Sequence, residues 1–94
     1  MFNQNPYAIM FHHFHDPNVH KKGQGSISAE KFEKIIRFVR NNFNLLNADE
    51  FMNKLLEKKL EKNDTVITLD DALKSQIDIA LPVIQSEGIK AFFF

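Results

Sequence analysis

Two adjacent carboxylates, Asp70 and Asp71, directly follow a short run rich in β-branched residues, Thr65-Val66-Ile67-Thr68-Leu69. Side by side they repel one another, and a divalent cation, which favours hard oxygen ligands, is the usual compensator. In folds with parallel strands, catalytic groups collect at the C-terminal strand ends, where loops converge on a crevice. The same two residues could instead cap the following helix and face water, and residue type alone leaves these readings equal. A second group with ligand chemistry lies upstream, where all four histidines of the chain fall: His12, His13, His15 and His20. His13 and His15 would share one face of a strand, a common metal-ligand spacing, and Asp16 could add an oxygen. Against this stands the plainer reading, in which histidines at a strand end line a polar cleft or face solvent.

These residues need elements to hold them. Tyr7 to Phe14 is apolar and aromatic, and Asp16-Pro17-Asn18 follows as turn chemistry, so the pattern predicts a buried strand and then a loop to Gly25. Ser28 is placed to cap a helix whose apolar stripe is Phe32, Ile35, Ile36 and Val39, ending at Asn41-Asn42. Phe43 to Leu46 predicts a short strand. Asn47 and Glu50 have capping-box spacing before a second helix with Phe51, Met52, Leu55 and Leu56 on its apolar side. Lysines interspersed with glutamates over residues 54–62 read as a solvated face rather than a docking surface. Asn63-Asp64 is a turn, and Thr65–Leu69 is a buried strand. A helical stretch with Ile77, Ala80, Leu81 and Ile84 contains Pro82, which implies a kink or a restart with proline near a first turn. Gly88 suits a left-handed helix end, and Ile89 to Phe94 predicts the next strand. Strand, helix and strand within about thirty residues make a βαβ unit, which calls for parallel strands and a right-handed crossover.

Composition narrows the function classes. Twelve basic residues balance twelve acidic ones in a chain of 94 residues, which argues against a nucleic-acid or anionic-membrane partner. There is no cysteine, hence no disulfide framework and no thiolate chemistry. No apolar run approaches the ~20 residues of a membrane span, and Met1 to Pro6 lacks the features of a signal peptide. Cytoplasmic residence is the expectation. So is a chain that continues past Phe94, since a domain rarely ends on an uncapped apolar strand.

Thr68-Leu69-Asp70-Asp71-Ala72 resembles the Thr-Phe-Asp-Asp-Gly signature of polysaccharide deacetylases, the NodB-homology family of carbohydrate esterases. Asp78-Ile79-Ala80-Leu81-Pro82-Val83-Ile84 and then Gly88-Ile89-Lys90-Ala91-Phe92-Phe93 are similar to the helix and second core strand that follow the signature. Upstream, Phe11-His12-His13 resembles the family's Tyr-His strand. Ser28-Ala29-Glu30-Lys31-Phe32-Glu33 is similar to its Ser-Pro-Glu-x-Phe helix start. The likeness runs over nearly all of residues 1–94 but only the N-terminal third or so of a family domain.

The resemblance implies an α/β chain forming an incomplete (β/α) barrel, related to hydrolases that remove acetyl groups from N- or O-acetylated sugars or polysaccharides. It carries the general base toward water to Asp70 and a divalent-metal ligand, usually for zinc, to Asp71. His12 falls at the sugar-binding mouth. Two motif positions depart, with Leu69 for Phe and Ala72 for Gly. A larger departure is that no histidine follows His20, whereas the family completes its metal site with His-x-x-x-His and adds a later histidine as general acid. Stable catalytic zinc normally takes three protein ligands plus water. The chain itself is therefore expected to be an inactive fragment, and its exposed C-terminal strand is a candidate for self-association. Two rivals remain: a non-catalytic remnant, or a small metal module built on the histidines.

Overall fold

Among the described residues, parallel strands alternate with helices. A computed structural model describes residues 7–23, 25–71 and 73–94. The order is β1 (Tyr7–Phe11), α1 (Ala29–Asn42), β2 (Asn44–Leu45), α2 (Ala48–Leu56) and β3 (Asp64–Leu69). A π-helical turn (Gln76–Ala80) then runs into α3 (Leu81–Ser86), and β4 (Phe92–Phe93) follows. The architecture is α/β with an open, parallel sheet.

β3 is the centre of the sheet and is buried at every position. β1 runs along one edge of it in the register Tyr7↔Thr65 to Phe11↔Leu69. β2 and β4 divide the other edge: Asn44 and Leu45 pair with Asp64 and Thr65, and Phe92 and Phe93 pair with Thr68 and Leu69. The start of β3 is pinned by Asp64, whose carboxylate accepts from Asn44 Nδ2 (2.7 Å), the Glu61 N–H (2.9 Å) and Lys54 Nζ (3.4 Å). Burial pushes that carboxyl up, and these donors outweigh burial and hold it below its ordinary value.

Strand alternation gives the sheet two unlike faces. Ile9, Phe11, Ile67 and Leu69 turn toward α1 and α3, where they join Phe14, Phe32, Ile36, Ile79, Ala80, Val83 and Ile84 in the core. Phe11, Phe14 and Phe32 meet there, with Phe32 edge-on to both others at 4.9 and 5.0 Å between ring centres. The opposite face carries Ala8, Met10, Val66, Thr68 and Phe92 toward α2. No residue of α2 is fully buried: Phe51 is half-buried, edge-on to Phe92, while Met52, Leu55 and Leu56 of the apolar side that the sequence assigns to it stay exposed.

Helix ends follow their caps. Ser28 Oγ accepts from the Lys31 N–H (3.1 Å) at the start of α1. Glu50 accepts from the Asn47 N–H (3.0 Å), but the Asn47 side chain reaches across to the Lys90 N–H (2.8 Å) and ties α2 to the approach of β4. α3 closes with Gly88 left-handed at φ 69°, with Gly88 N–H bonded to Gln85 C=O and Ile89 N–H to Ile84 C=O. Pro82 sits in the first turn of α3, after a π-helical turn in which Leu81 N–H reaches back to Gln76 C=O. The wider turn relieves the clash a proline ring makes with the preceding turn of an α-helix.

The expected strands come out shorter. β1 ends at Phe11 rather than Phe14, because β3 gives it a partner only as far as Leu69; Phe14 makes an isolated bridge to Ile27. Strand Phe43–Leu46 contracts to Asn44–Leu45, and Ile89–Phe94 to Phe92–Phe93. No helix among the described residues is long and apolar enough to cross a membrane.

Candidate active site

The C-terminal ends of β1 and β3 bring three of the chemically able residues together. Asp70 is the last anchored residue of the β3 segment: its N–H donates to Phe11 C=O (3.0 Å), while Phe94 N–H closes the other edge on Leu69 C=O (2.8 Å). The next residue, Asp71, takes the left-handed conformation (φ 73°), which turns the chain away from the sheet. The two carboxylates therefore differ in environment, Asp70 being 22% exposed and Asp71 66%.

His12 follows β1, and its Nε2 lies 3.8 Å from Asp70 Oδ2 and 3.8 Å from Asp71 Oδ2. That distance is a charge contact rather than a hydrogen bond. An imidazole facing two carboxylates partly offsets their mutual repulsion whenever it carries a proton. Ala72, the position of the missing motif glycine, lies outside the described residues.

The other histidines do not converge. His15 Nδ1 bonds Ser26 Oγ (2.8 Å), and His20 Nε2 bonds Asp78 Oδ2 (2.7 Å), which Lys74 Nζ also contacts (2.6 Å). The hydrogen bond from His20 and then that from Lys74 hold the Asp78 carboxyl below its usual range. Asp16 does not act as a ligand beside them; its Oδ1 accepts from the backbone N–H groups of Asn18, Val19 and His20, a turn that lowers its carboxyl as well. Among the described residues, no group of three or more His, Asp and Glu side chains is arranged to hold a metal ion. The histidine-based metal module thus finds no support in the geometry. As a donor set for a hard cation, the aspartate pair offers oxygens of the right chemistry, but fewer ligands than a stable catalytic site uses.

Two clefts meet this end of the sheet. One, of about 740 Å³, runs along the open sheet face between Met10, Phe51, Leu55, Phe92 and Phe94, with Asp70 and Asp71 at its polar end. The other, of about 600 Å³, is lined by His13, His20, Lys21, Ser26, Lys74 and Ser75. A further residue at the strand ends escapes the sequence reading. Gln76 is fully buried, and its Nε2 donates to His12 C=O (3.0 Å) and to Asp70 C=O. The sequence pattern sets the apolar face on Ile77, Ala80, Leu81 and Ile84, but Ile77 is exposed, and the buried face turns through Gln76, Ile79, Ala80 and Val83, where a polar side chain needs a partner.

By sequence, no protein-family model matches the chain and no curated protein is similar to it. Solved structures are similar to it in fold. IcaB from Ammonifex degensii matches with a TM-score of 0.77 at 20% identity, over 98% of this chain and 38% of that one. A de-N-acetylase from Aggregatibacter actinomycetemcomitans matches at 0.74 and 16% identity, over 95% of this chain and 36% of that one. A polysaccharide deacetylase from Bacillus cereus matches at 0.63 and 24% identity, over 95% of this chain and 27% of that one. The chain spans little more than a third of the first two. Over the portion it shares with these structures, the chain has the polysaccharide deacetylase fold.

Proposed function

We propose that this chain supplies the aspartate pair of a metal-dependent hydrolase that removes acetyl groups from N- or O-acetylated sugars. In the whole enzyme the sheet would be one segment of a (β/α) barrel. The observation that carries the reading is the convergence of His12, Asp70 and Asp71 at the C-terminal strand ends of a fold shared with deacetylases. Asp70, fixed through its backbone to Phe11 and partly sheltered, is the general base that takes a proton from water attacking the acetyl carbonyl. Asp71, turned outward, offers an oxygen to a divalent ion, with zinc expected from the resemblance. Held there by Asp71 and further ligands, such an ion would supply Lewis-acid chemistry, polarising an acetyl carbonyl and lowering the pKa of a bound water. His12 lines the sugar-binding mouth. The remaining metal ligands and the general acid come from outside this set of residues, so the 94-residue chain is a partial site.

The test separates the two aspartates. In a complete enzyme rebuilt around this segment, zinc or cobalt titration should show binding that Asp71→Asn weakens about tenfold or more, since a neutral amide oxygen is the poorer ligand. Asp70→Asn should keep most of it. Equal loss in both variants would mean that the pair binds jointly, and no loss in either would leave the aspartates as structural caps. Acetate release from acetylated amino-sugar oligomers should be absent for the chain alone; robust zinc-dependent release would overturn the partial-site reading.

A further inference from the structure

We propose that Gln76 is a positioning residue that sets the spacing between His12 and the Asp70–Asp71 pair, an inference that rests on the reading of that pair as the reacting centre. The need for such a residue comes from the strand ends. The ladder between β1 and β3 closes with Asp70 N–H on Phe11 C=O, and the two chains then part. Past that point the carbonyls of His12 and Asp70 have no strand partner among the described residues. One amide nitrogen carries two hydrogens, and Gln76 Nε2 directs them to these two oxygens. A single side chain thereby holds the backbones of His12 and Asp70 to one point.

Two features show that the arrangement is specific. Reversing the amide would set Oε1 against two carbonyl oxygens, so its orientation is forced. In the orientation adopted, Gln76 Oε1 is buried with no hydrogen-bond partner among the described residues. An unpaired buried acceptor is costly, and it is tolerated here together with the bridge that requires it. Gln76 also opens the π-helical turn, a distortion found often at functional sites. Glutamate in its place has the shape but no donor, and methionine has the length but neither polar group.

The experiment uses the full chain and nuclear magnetic resonance. Gln76→Met is the main variant, with Gln76→Glu as the second should the first not fold. Ile79→Val, on the same buried face, weakens the core without touching either carbonyl. First, His12→Ala should shift the carboxylate carbons of Asp70 and Asp71 in the wild-type background and in Ile79→Val. In Gln76→Met that response should largely vanish. Second, Mn²⁺ should broaden His12, Asp70 and Asp71 together at one midpoint, and Gln76→Met should raise that midpoint about tenfold, as loss of a supporting contact does to a metal site. Unchanged responses in Gln76→Met overturn the positioning role. If Mn²⁺ leaves the wild-type aspartates untouched, the metal reading of the pair falls, while the first readout still decides the role of Gln76.

Discussion

Asp71 occupies a backbone conformation that glycine would hold more cheaply, and this gives a stability test of whether its side chain is kept for chemistry. At φ 73° an L-residue crowds its own carbonyl, a cost of roughly 1–2 kcal/mol that glycine escapes. Glycine gives some of that back, about 0.4–1 kcal/mol, because it adds freedom to the unfolded chain. The net expectation for Asp71→Gly is a gain centred on about 0.8 kcal/mol (roughly 0–1.6), which for a domain of this size raises the melting temperature by roughly 3–6 °C at the centre of the range. Asp71→Asn should be nearly neutral, since aspartate and asparagine both tolerate the left-handed region. Asp71→Ala has no such tolerance and should lose roughly half a kcal/mol. Urea unfolding of the four proteins at moderate salt, where repulsion from Asp70 is screened, gives the order Gly above Asp and Asn, with Ala last. An alanine variant as stable as the glycine variant would refute the argument, because strain would then not be what distinguishes them. The predicted order means that a carboxylate stands where stability alone selects glycine, as at sites where strain is retained for function.

Other expectations follow from charge and from exposed apolar surface. Glu87, with a side chain 7% exposed, joins Arg40 (2.9 Å) and Arg37 (3.3 Å) of α1 to the end of α3. Burial pushes its carboxyl up, but the two guanidinium groups outweigh burial and hold it below 4.5. A lowered folded value means that the stabilisation is complete above about pH 4.5 and is lost as pH falls through the folded value. Glu87→Gln should therefore cost about 1 kcal/mol at neutral pH and converge on the wild type in acid urea melts; a difference that persists in acid would refute the pairing. The open sheet face exposes Met10 (62%), Leu55 (48%) and Phe94 (65%), so sedimentation at high concentration should show species heavier than 11.0 kDa. Met10→Lys with Leu55→Lys should restore the monomer, and a wild-type monomer at every concentration would end that proposal.

Much of the fold is legible because its signals are local. Phe32, Ile36 and Val39 mark the buried stripe of α1, Ser28 its start, and Gly88 the end of α3, each read from residues within a turn or two. Pro82 announces a break, and the structure supplies the restart together with the π-helical turn before it. Strand lengths were less readable, because a parallel strand ends where its neighbour stops. Nothing in Phe11-His12-His13-Phe14 says that β3 runs out opposite Phe11. Asn47 shows the same limit. Its spacing from Glu50 predicts the local capping box that forms, but nothing local says that the Asn47 side chain also accepts from the Lys90 N–H, forty-three residues away.

The candidate site divides along the same line. Asp70 and Asp71 are visible as a pair by adjacency, and the strand before them gives their location. Their difference in exposure is not visible, since it comes from Asp71 turning left-handed just after the last ladder bond. His12 reaches the pair only because β1 and β3 are parallel and in a register that ends both strands together. An antiparallel pairing, or a register moved by two residues, would carry His12 several ångströms along the sheet and leave the aspartates facing solvent. The site is thus a property of the register, and the groups that fix the register at that end are the Asp70 N–H and the Gln76 amide. A polar side chain on an otherwise apolar helical face is therefore where a search for positioning residues in such folds should start. Its burial has to be matched by partners, and here those partners are the carbonyls of two residues of the site.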